Sequence, residues 1–262
     1  MKDLLQPYKS IAILGLAKNT GKTTVLNHIL RMFCDETLAI TSIGRDGEMI
    51  DLVTGTPKPR VFVQAGTFFA SAEGLLQNCK ITKEIVKVTD FSTPLGRVVI
   101  VQARSSGFVE IAGPSIIERV CELEMPGERF IIDGAVGRLS HLAAAEAVVL
   151  CTGAAIDARM EAVVRRTQQV VKILCLKTPA EGEDFVFIDG ALTDANFSGI
   201  VAVERPSKIF TTQKLDNVRV LKPVKLAAIA VNPYSPYGWA FDVEEFIDRM
   251  GSEIPIYDLG RC

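Results

Sequence analysis

The chain has 262 residues, 48% of them hydrophobic, a formal net charge of -2 and a mean hydropathy of +0.25. That size and apolar content can bury a full core as one large domain or two small ones. The balanced charge offers no basic surface for a nucleic acid, the apolar run at 142–150 is broken by Glu146 and far short of a membrane span, and residues 1–8 lack the apolar core of a secretion signal. A cytoplasmic protein that binds neither nucleic acid nor membrane is expected.

In chain order, an apolar strand over 10–14 runs into Gly15-Leu-Ala-Lys-Asn-Thr-Gly-Lys-Thr-Thr24 and a helix over 22–33. A buried strand, a glycine-bracketed turn and a helix N-terminus together read as a nucleotide phosphate cradle, against the alternative of a chance Gly-Lys-Thr at a helix start. Gly15, Lys18, Asn19, Thr20, Gly21, Lys22, Thr23 and Thr24 are therefore the expected nucleotide-binding residues. Lys22 would reach the β and γ phosphates, and Thr23 would hold magnesium.

A second strand over 37–42 leads to Ser42-Ile-Gly-Arg-Asp-Gly-Glu48, which brings Arg45, Asp46 and Glu48 to the carboxyl edge of a sheet, where open α/β sheets bind ligands. Asp46 reads as a second magnesium or water-orienting carboxylate and Arg45 as a phosphate-neutralising charge, with a solvated turn as the plain alternative. Between 44 and 95, Pro57, Pro59 and Pro94 interrupt the alternation. A helix over 67–76 and a hairpin of 84–89 with 97–102 are expected there. Gly107-Phe-Val-Glu-Ile-Ala-Gly-Pro-Ser115 then carries Glu110, which would face the nucleotide, a partner, or a structural ion pair. Ser115, with Glu118 three residues later, marks the start of a helix over 115–123.

The strand over 129–132 ends at Asp133-Gly-Ala-Val-Gly137, supplying the carboxylate a phosphate site needs for magnesium and glycines that admit the γ-phosphate; an ordinary strand-ending turn is the alternative. A strand over 147–151, a helix over 157–170 and a strand over 171–176 follow. Cys151 and Cys175 lie in these apolar strand patterns and read as small core residues. Six cysteines without a Cys-x-x-Cys pair, and two histidines, argue against zinc or an iron–sulfur cluster. His28 and His141 read as packed or surface side chains.

After about residue 181 the rhythm is strand-rich, with strands over 185–188, 199–203, 217–221 and 226–231, a helix over 243–250 and a final segment over 254–257. The expected organisation is a nucleotide-binding unit over 1–180 and a strand-rich extension over 181–262 that can continue the same sheet. The fold class is α/β, a mostly parallel sheet flanked by helices in the manner of phosphate-loop NTPases. Asn232, at the end of an apolar strand, is the candidate for contacting the base. The absence of an Asn/Thr-Lys-x-Asp sequence favours ATP over GTP.

Five residues separate Gly15 from Gly21, and this longer loop resembles the G-x-x-x-x-x-G-K-T loops of the dethiobiotin synthetase and cobyrinic acid amidase group. Asp133-Gly-Ala-Val-Gly137 is similar to that group's Glu-Gly-Ala-Gly-Gly segment, while the Asn the group carries after the strand preceding Lys177-Thr178 is missing. Taken with Ser-Ile-Gly-Arg-Asp-Gly-Glu48, Thr93-Pro-Leu-Gly96, Val-Glu-Ile-Ala-Gly-Pro114, Ile-Asp-Gly-Ala135 and Val231-Asn-Pro-Tyr-Ser-Pro-Tyr-Gly-Trp239, the chain resembles the B subunits of lysine 5,6-aminomutase reactivases over nearly its whole length. That resemblance implies an ATP- and Mg²⁺-dependent component that works with a larger ATPase subunit to restore a damaged adenosylcobalamin-dependent aminomutase. No Asp-x-His-x-x-Gly cobalamin motif is present. The rival expectation is a carboxylate- or carbamate-activating enzyme using Lys18, and the next is a nucleotide-switched binding protein. Tyr234, Tyr237 and Trp239, set among prolines, read either as anchors for a partner or as packing residues.

Overall fold

Runs of Ile, Val, Leu and Ala without polar alternation suit strands covered on both faces. In the computed structural model, which describes residues 1–43, 45–46, 60–114, 117–134, 145–193 and 199–261, such runs form the centre of a nine-stranded sheet. The N-terminal part comprises α1 (Lys2–Leu5), β1 (Ser10–Gly15), α2 (Lys22–Met32), β2 (Leu38–Ser42), β3 (Arg45–Asp46), β4 (Val61–Val63) and β5 (Phe68–Ala72). The middle comprises β6 (Lys83–Thr93), β7 (Gly96–Ala103), β8 (Gly107–Val109), β9 (Ile111–Ala112), β10 (Arg129–Asp133) and β11 (Ala147–Gly153). Then follow α3 (Met160–Leu174), β12 (Val186–Ile188), β13 (Val201–Val203), β14 (Val218–Val220), β15 (Lys225–Asn232), α4 (Val243–Met250) and β16 (Ile256–Asp258).

The sheet runs in the order β16-β15-β11-β1-β10-β2-β5-β7-β6. All pairings from β16 to β5 are parallel, and the β6–β7 hairpin closes the far side antiparallel, as the sequence predicts. Side chains alternate between faces along each strand. Ile11 and Ile13 join Val25, Leu26 and Ile29 of α2 in one core cluster, whereas Ala12 and Leu14 join Val163 of α3 and Phe246 of α4 in another. The protein is thus an α/β protein with helices on both faces of a mostly parallel sheet. Among the described residues no helix is long and apolar enough to cross a membrane.

Three expected elements differ. The strand expected over 171–176 is the last turn of α3 and its cap: Val163, Val164, Thr167, Ile173 and Leu174 are the buried residues of one continuous helix, and the core contact they gain outweighs the β preference of Val170 and Val171. Cys175 consequently caps that helix and is exposed, so it is not a core residue, whereas Cys151 is fully buried in β11. The helix expected over 67–76 is instead β5 followed by a 3₁₀ turn over Glu73–Asn78. Phe68 to Ala72 pair with β7 on one side, Phe68 and Phe69 pair with β2 on the other, and a five-residue, mostly apolar run satisfies either period. The helix expected over 115–123 is a 3₁₀ stretch over Ile117–Leu123; Ser115 lies outside the described residues.

The strands after residue 181 divide between two sheets. β12, β13 and β14 form a separate three-stranded parallel sheet, and β15 and β16 extend the main sheet beside β11. α4 is bounded as the sequence predicts: Asp242 accepts from the Glu245 backbone N–H (2.8 Å), and Gly251 ends the helix in the left-handed conformation.

Candidate functional site

Parallel pairing brings the carboxyl ends of β1, β10, β2, β11 and β15 to one edge of the sheet. The register sets Ile13 beside Asp133, Asp133 beside Ser42, Gly15 beside Cys151, and Gly153 beside Asn232. The chain leaves β1 at Gly15. The Leu16 N–H donates to the Cys151 carbonyl (3.0 Å), Arg166 of α3 donates to the Leu16 carbonyl (3.3 Å), and the buried Thr20 hydroxyl donates to the Ala17 carbonyl (2.9 Å). Thr20 therefore closes the loop from inside.

Two glycines leave room for the side chains that lie against them. A Cβ on Gly15 would come within 2.7 Å of Lys22 Cδ, and one on Gly21, where φ is +88°, would come within 2.4 Å of Leu259 Cδ1. Gly21 occupies the N-cap position of α2 and supplies no side-chain acceptor to the helix's first N–H groups. Those groups, with the positive end of the helix, are suited to an anion. Lys18 is exposed at the tip of the loop, and Thr23 and Thr24 are half-buried in the first turn of α2.

Lys22 crosses the end of β1 toward β10. Its ammonium donates to the Gly134 carbonyl (2.6 Å) and lies 3.6 Å from Asp133 Oδ1. The Asp133 side chain is 0% exposed and that of Lys22 is 12% exposed. A carboxylate held this deep is stabilised by a cation beside it, and a lysine held there can exchange one oxygen partner for another. Burial pushes the Cys151 thiol far above its ordinary range, with Lys22 pulling it down and Asp133 adding to the rise. That sulfur is therefore a neutral packing group.

Asn232 is also brought to this loop. Its side-chain amide donates to the Asn19 carbonyl (2.9 Å), and its side-chain oxygen accepts from the Tyr234 N–H (3.2 Å). Both ends of the amide thus engage the backbone. Glu110 lies between β8 and β9 and is 4% exposed: Oε1 accepts from Asn78 (3.1 Å), and its backbone meets Ser71 and Cys79. Among the described contacts none joins Glu110 to Lys22 or Asp133. Arg45 and Asp46 form β3, antiparallel to β9, but their side chains, with Glu48, Gly137 and His141, lie outside the described residues.

The contributions of Leu259, Arg166 and Gly113 to this edge were not foreseen. Leu259 and Arg166 are ordinary residues far from the loop in sequence. Gly113 is the one with a visible motif, Ala112-Gly113-Pro114, and a Cβ there would lie 2.0 Å from the Ser42 carbonyl oxygen. Among the described residues there is no group of three His, Cys, Asp or Glu able to hold a metal ion. Magnesium differs, since one carboxylate and one hydroxyl suffice when phosphate and water complete its shell. A shallow cleft of about 170 Å³, bordered by Leu30, Glu36, Thr37 and Gly66, opens at the amino ends of β2 and β5, the opposite edge of the sheet from Lys22.

The aromatic segment directly follows Asn232 in the chain. Trp239 Nε1 donates to the Ala154 carbonyl (2.8 Å) and its ring stacks on Tyr237, so Trp239 is a pin for this segment, while Tyr234 and Tyr237 are 61% and 57% exposed. The chain matches no protein-family model, no curated protein and no solved structure.

Proposed function

We propose that the chain binds a nucleoside triphosphate with magnesium at the Gly15–Thr24 loop and hydrolyses it, with ATP as the nucleotide. The observation that carries this reading is the convergence of Lys22 and the buried Asp133 beside the uncapped N-terminus of α2. The residues fit the ligand: backbone N–H groups of the loop and of the first turn of α2 would cradle the phosphates, Thr23 would offer a hydroxyl to the metal, and Asp133 would offer the carboxylate, directly or through water. A magnesium ion held by these residues would supply positive charge against that of the phosphates.

Lys22 has a defined task in this scheme. Its ammonium would leave the Gly134 carbonyl for the β and γ phosphates, where charge grows as the γ-phosphoryl group departs. Phosphoryl transfer needs positioning and electrostatic stabilisation more than covalent participation from the protein. The lysine, the helix end and the loop N–H groups supply both.

On the resemblance to aminomutase reactivases, the nucleotide cycle would serve a reactivating chaperone that acts with a larger ATPase subunit on an adenosylcobalamin-dependent aminomutase. Nucleotide can drive such a release only as far as the chaperone's affinities for the two mutase states differ. The exposed Tyr234 and Tyr237, two and five residues after Asn232, which touches the loop, favour this reading as a partner surface near the nucleotide. A second reading, a carboxylate- or carbamate-activating enzyme, is favoured by the exposure of Lys18 at the loop tip. Steady-state phosphate release with Mg·ATP, alone, with mutase plus partner subunit, and with small carboxylates, separates them. Stimulation by the proteins supports the chaperone, stimulation by a small carboxylate supports the ligase, and no turnover under any of these conditions removes the hydrolysis proposal.

A further inference from the structure

The base-contacting role expected of Asn232 sits poorly with its geometry. We infer that Asn232 is a positioning residue for the phosphate loop, with Leu259 as its apolar counterpart, so that the last two strands of the sheet hold the loop in its anion-binding shape. This inference rests on the phosphate-binding reading of the loop.

The Asn232 amide nitrogen donates to the carbonyl of Asn19, a residue with φ of 61°. A non-glycine residue in the left-handed region persists where its surroundings enforce it. The same side chain's oxygen accepts from the Tyr234 N–H, which fixes the amide's orientation and points its donor at the loop. β15 itself is held beside β11 through Gly153 opposite Asn232, where a Cβ on Gly153 would lie 2.0 Å from the Asn232 carbonyl oxygen. The tether is therefore anchored in the sheet.

Leu259 acts one residue after β16 by filling the space in front of Gly21, which a Cβ would otherwise occupy. Gly21 and Asn19 flank Thr20, whose hydroxyl closes the turn, so the two contacts bracket the segment whose N–H groups would face the phosphates. Holding those N–H groups in place before the anion arrives reduces the ordering cost of binding. A residue that acts in this way affects every ligand carrying the phosphates equally. A base reader affects only the nucleotide whose base it recognises.

The test compares wild-type protein with Asn232→Ala, titrating Mg·ATP, Mg·GTP and inorganic tripolyphosphate, and measures amide hydrogen exchange across residues 16–21 without ligand. Loss of one neutral hydrogen bond predicts weakening of about three- to tenfold, of the same size for each ligand that wild type binds, together with faster exchange in the loop. Unchanged exchange, or a loss confined to ATP with tripolyphosphate unaffected, overturns the inference. If wild type binds none of the three, the phosphate-site reading itself fails, and the exchange measurement still decides whether Asn232 holds the loop. Asn232→Ser, which keeps a polar group at the turn but falls short of Asn19, serves if the alanine variant does not fold. Leu259→Ala predicts the same uniform pattern, and it should partly restore binding to Gly21→Ala by removing the clash.

Discussion

Replacing Lys22 with Met tests whether the lysine and Asp133 act as one unit before any nucleotide arrives. The substitution keeps most of the apolar stem over Gly15 and removes an ammonium 3.6 Å from a fully buried carboxylate and 2.6 Å from a carbonyl. At an effective dielectric of about 20, two charges at that separation attract by roughly 4–5 kcal/mol before desolvation is subtracted. About half of this is offset by the cost of keeping both groups out of water, so a net loss of about 2–3 kcal/mol is expected. Asp133→Asn removes the Coulombic part, and Lys22→Met in that background should lose about 1–2 kcal/mol less than in wild type. For a chain of this size, the single lysine variant corresponds to a fall in Tm of about 4–6 °C. Urea denaturation of the four proteins of the cycle gives the coupling directly. A coupling below about 0.5 kcal/mol would refute the idea that the two side chains depend on each other.

The other expected outcomes concern the metal, the N-terminal anchor and the aromatic segment. Asp133→Asn should retain metal-free nucleotide binding within a few-fold and lose magnesium-dependent phosphate release; full turnover, abolished by EDTA as in wild type, would reassign the carboxylate. Hydrogen bonds from Arg129 hold the Glu36 carboxyl below its ordinary range, and Arg129 also donates to the Leu5 and Tyr8 carbonyls, tying α1 to β10. Because that folded-state pKa is depressed, the stabilisation is complete above about pH 4.3 and fades as pH falls through the lowered value; Glu36→Gln should flatten the stability–pH curve in that window, and an unchanged acid limb would contradict the pairing. Trp239→Ala removes the pin to Ala154 and should lower Tm, whereas Tyr237→Ala should leave Tm nearly unchanged and weaken capture of the mutase or its partner subunit. Equal effects of the two on stability, with capture intact, would place the segment in the core alone.

Much of this edge was legible because its chemistry is concentrated in short segments. Residues 10–33 carry strand, glycines, Lys22 and helix in one run, and Asp133 closes an apolar strand that had to lie beside another parallel strand. The register setting Ile13 against Asp133 follows from that pairing. Less legible were elements decided by tertiary burial. Phe68 to Ala72 fits a strand or a helix until neighbours on both sides supply its ladder, and Val170 and Val171 favour a strand until α3 carries them across the sheet. Leu259 and Arg166 have no motif at all, since a leucine in front of a glycine and an arginine on a carbonyl reach the loop only through three-dimensional proximity. The place of Asn232 at a strand end is legible in the sequence, whereas its contact with the loop is not. Its side-chain amide donates to the Asn19 carbonyl of the loop, and its oxygen accepts from the Tyr234 N–H.

The central claim is that Lys22 and the loop around it receive a triphosphate. Isothermal titration of Mg·ATP into wild-type protein and into Lys22→Ala tests it most directly, with circular dichroism confirming that both are folded. Loss of a charge-assisted contact worth about 1.5–3 kcal/mol predicts weakening of roughly 10- to 100-fold in the variant. Binding of equal strength in the two proteins, or no binding to wild type, would contradict the account.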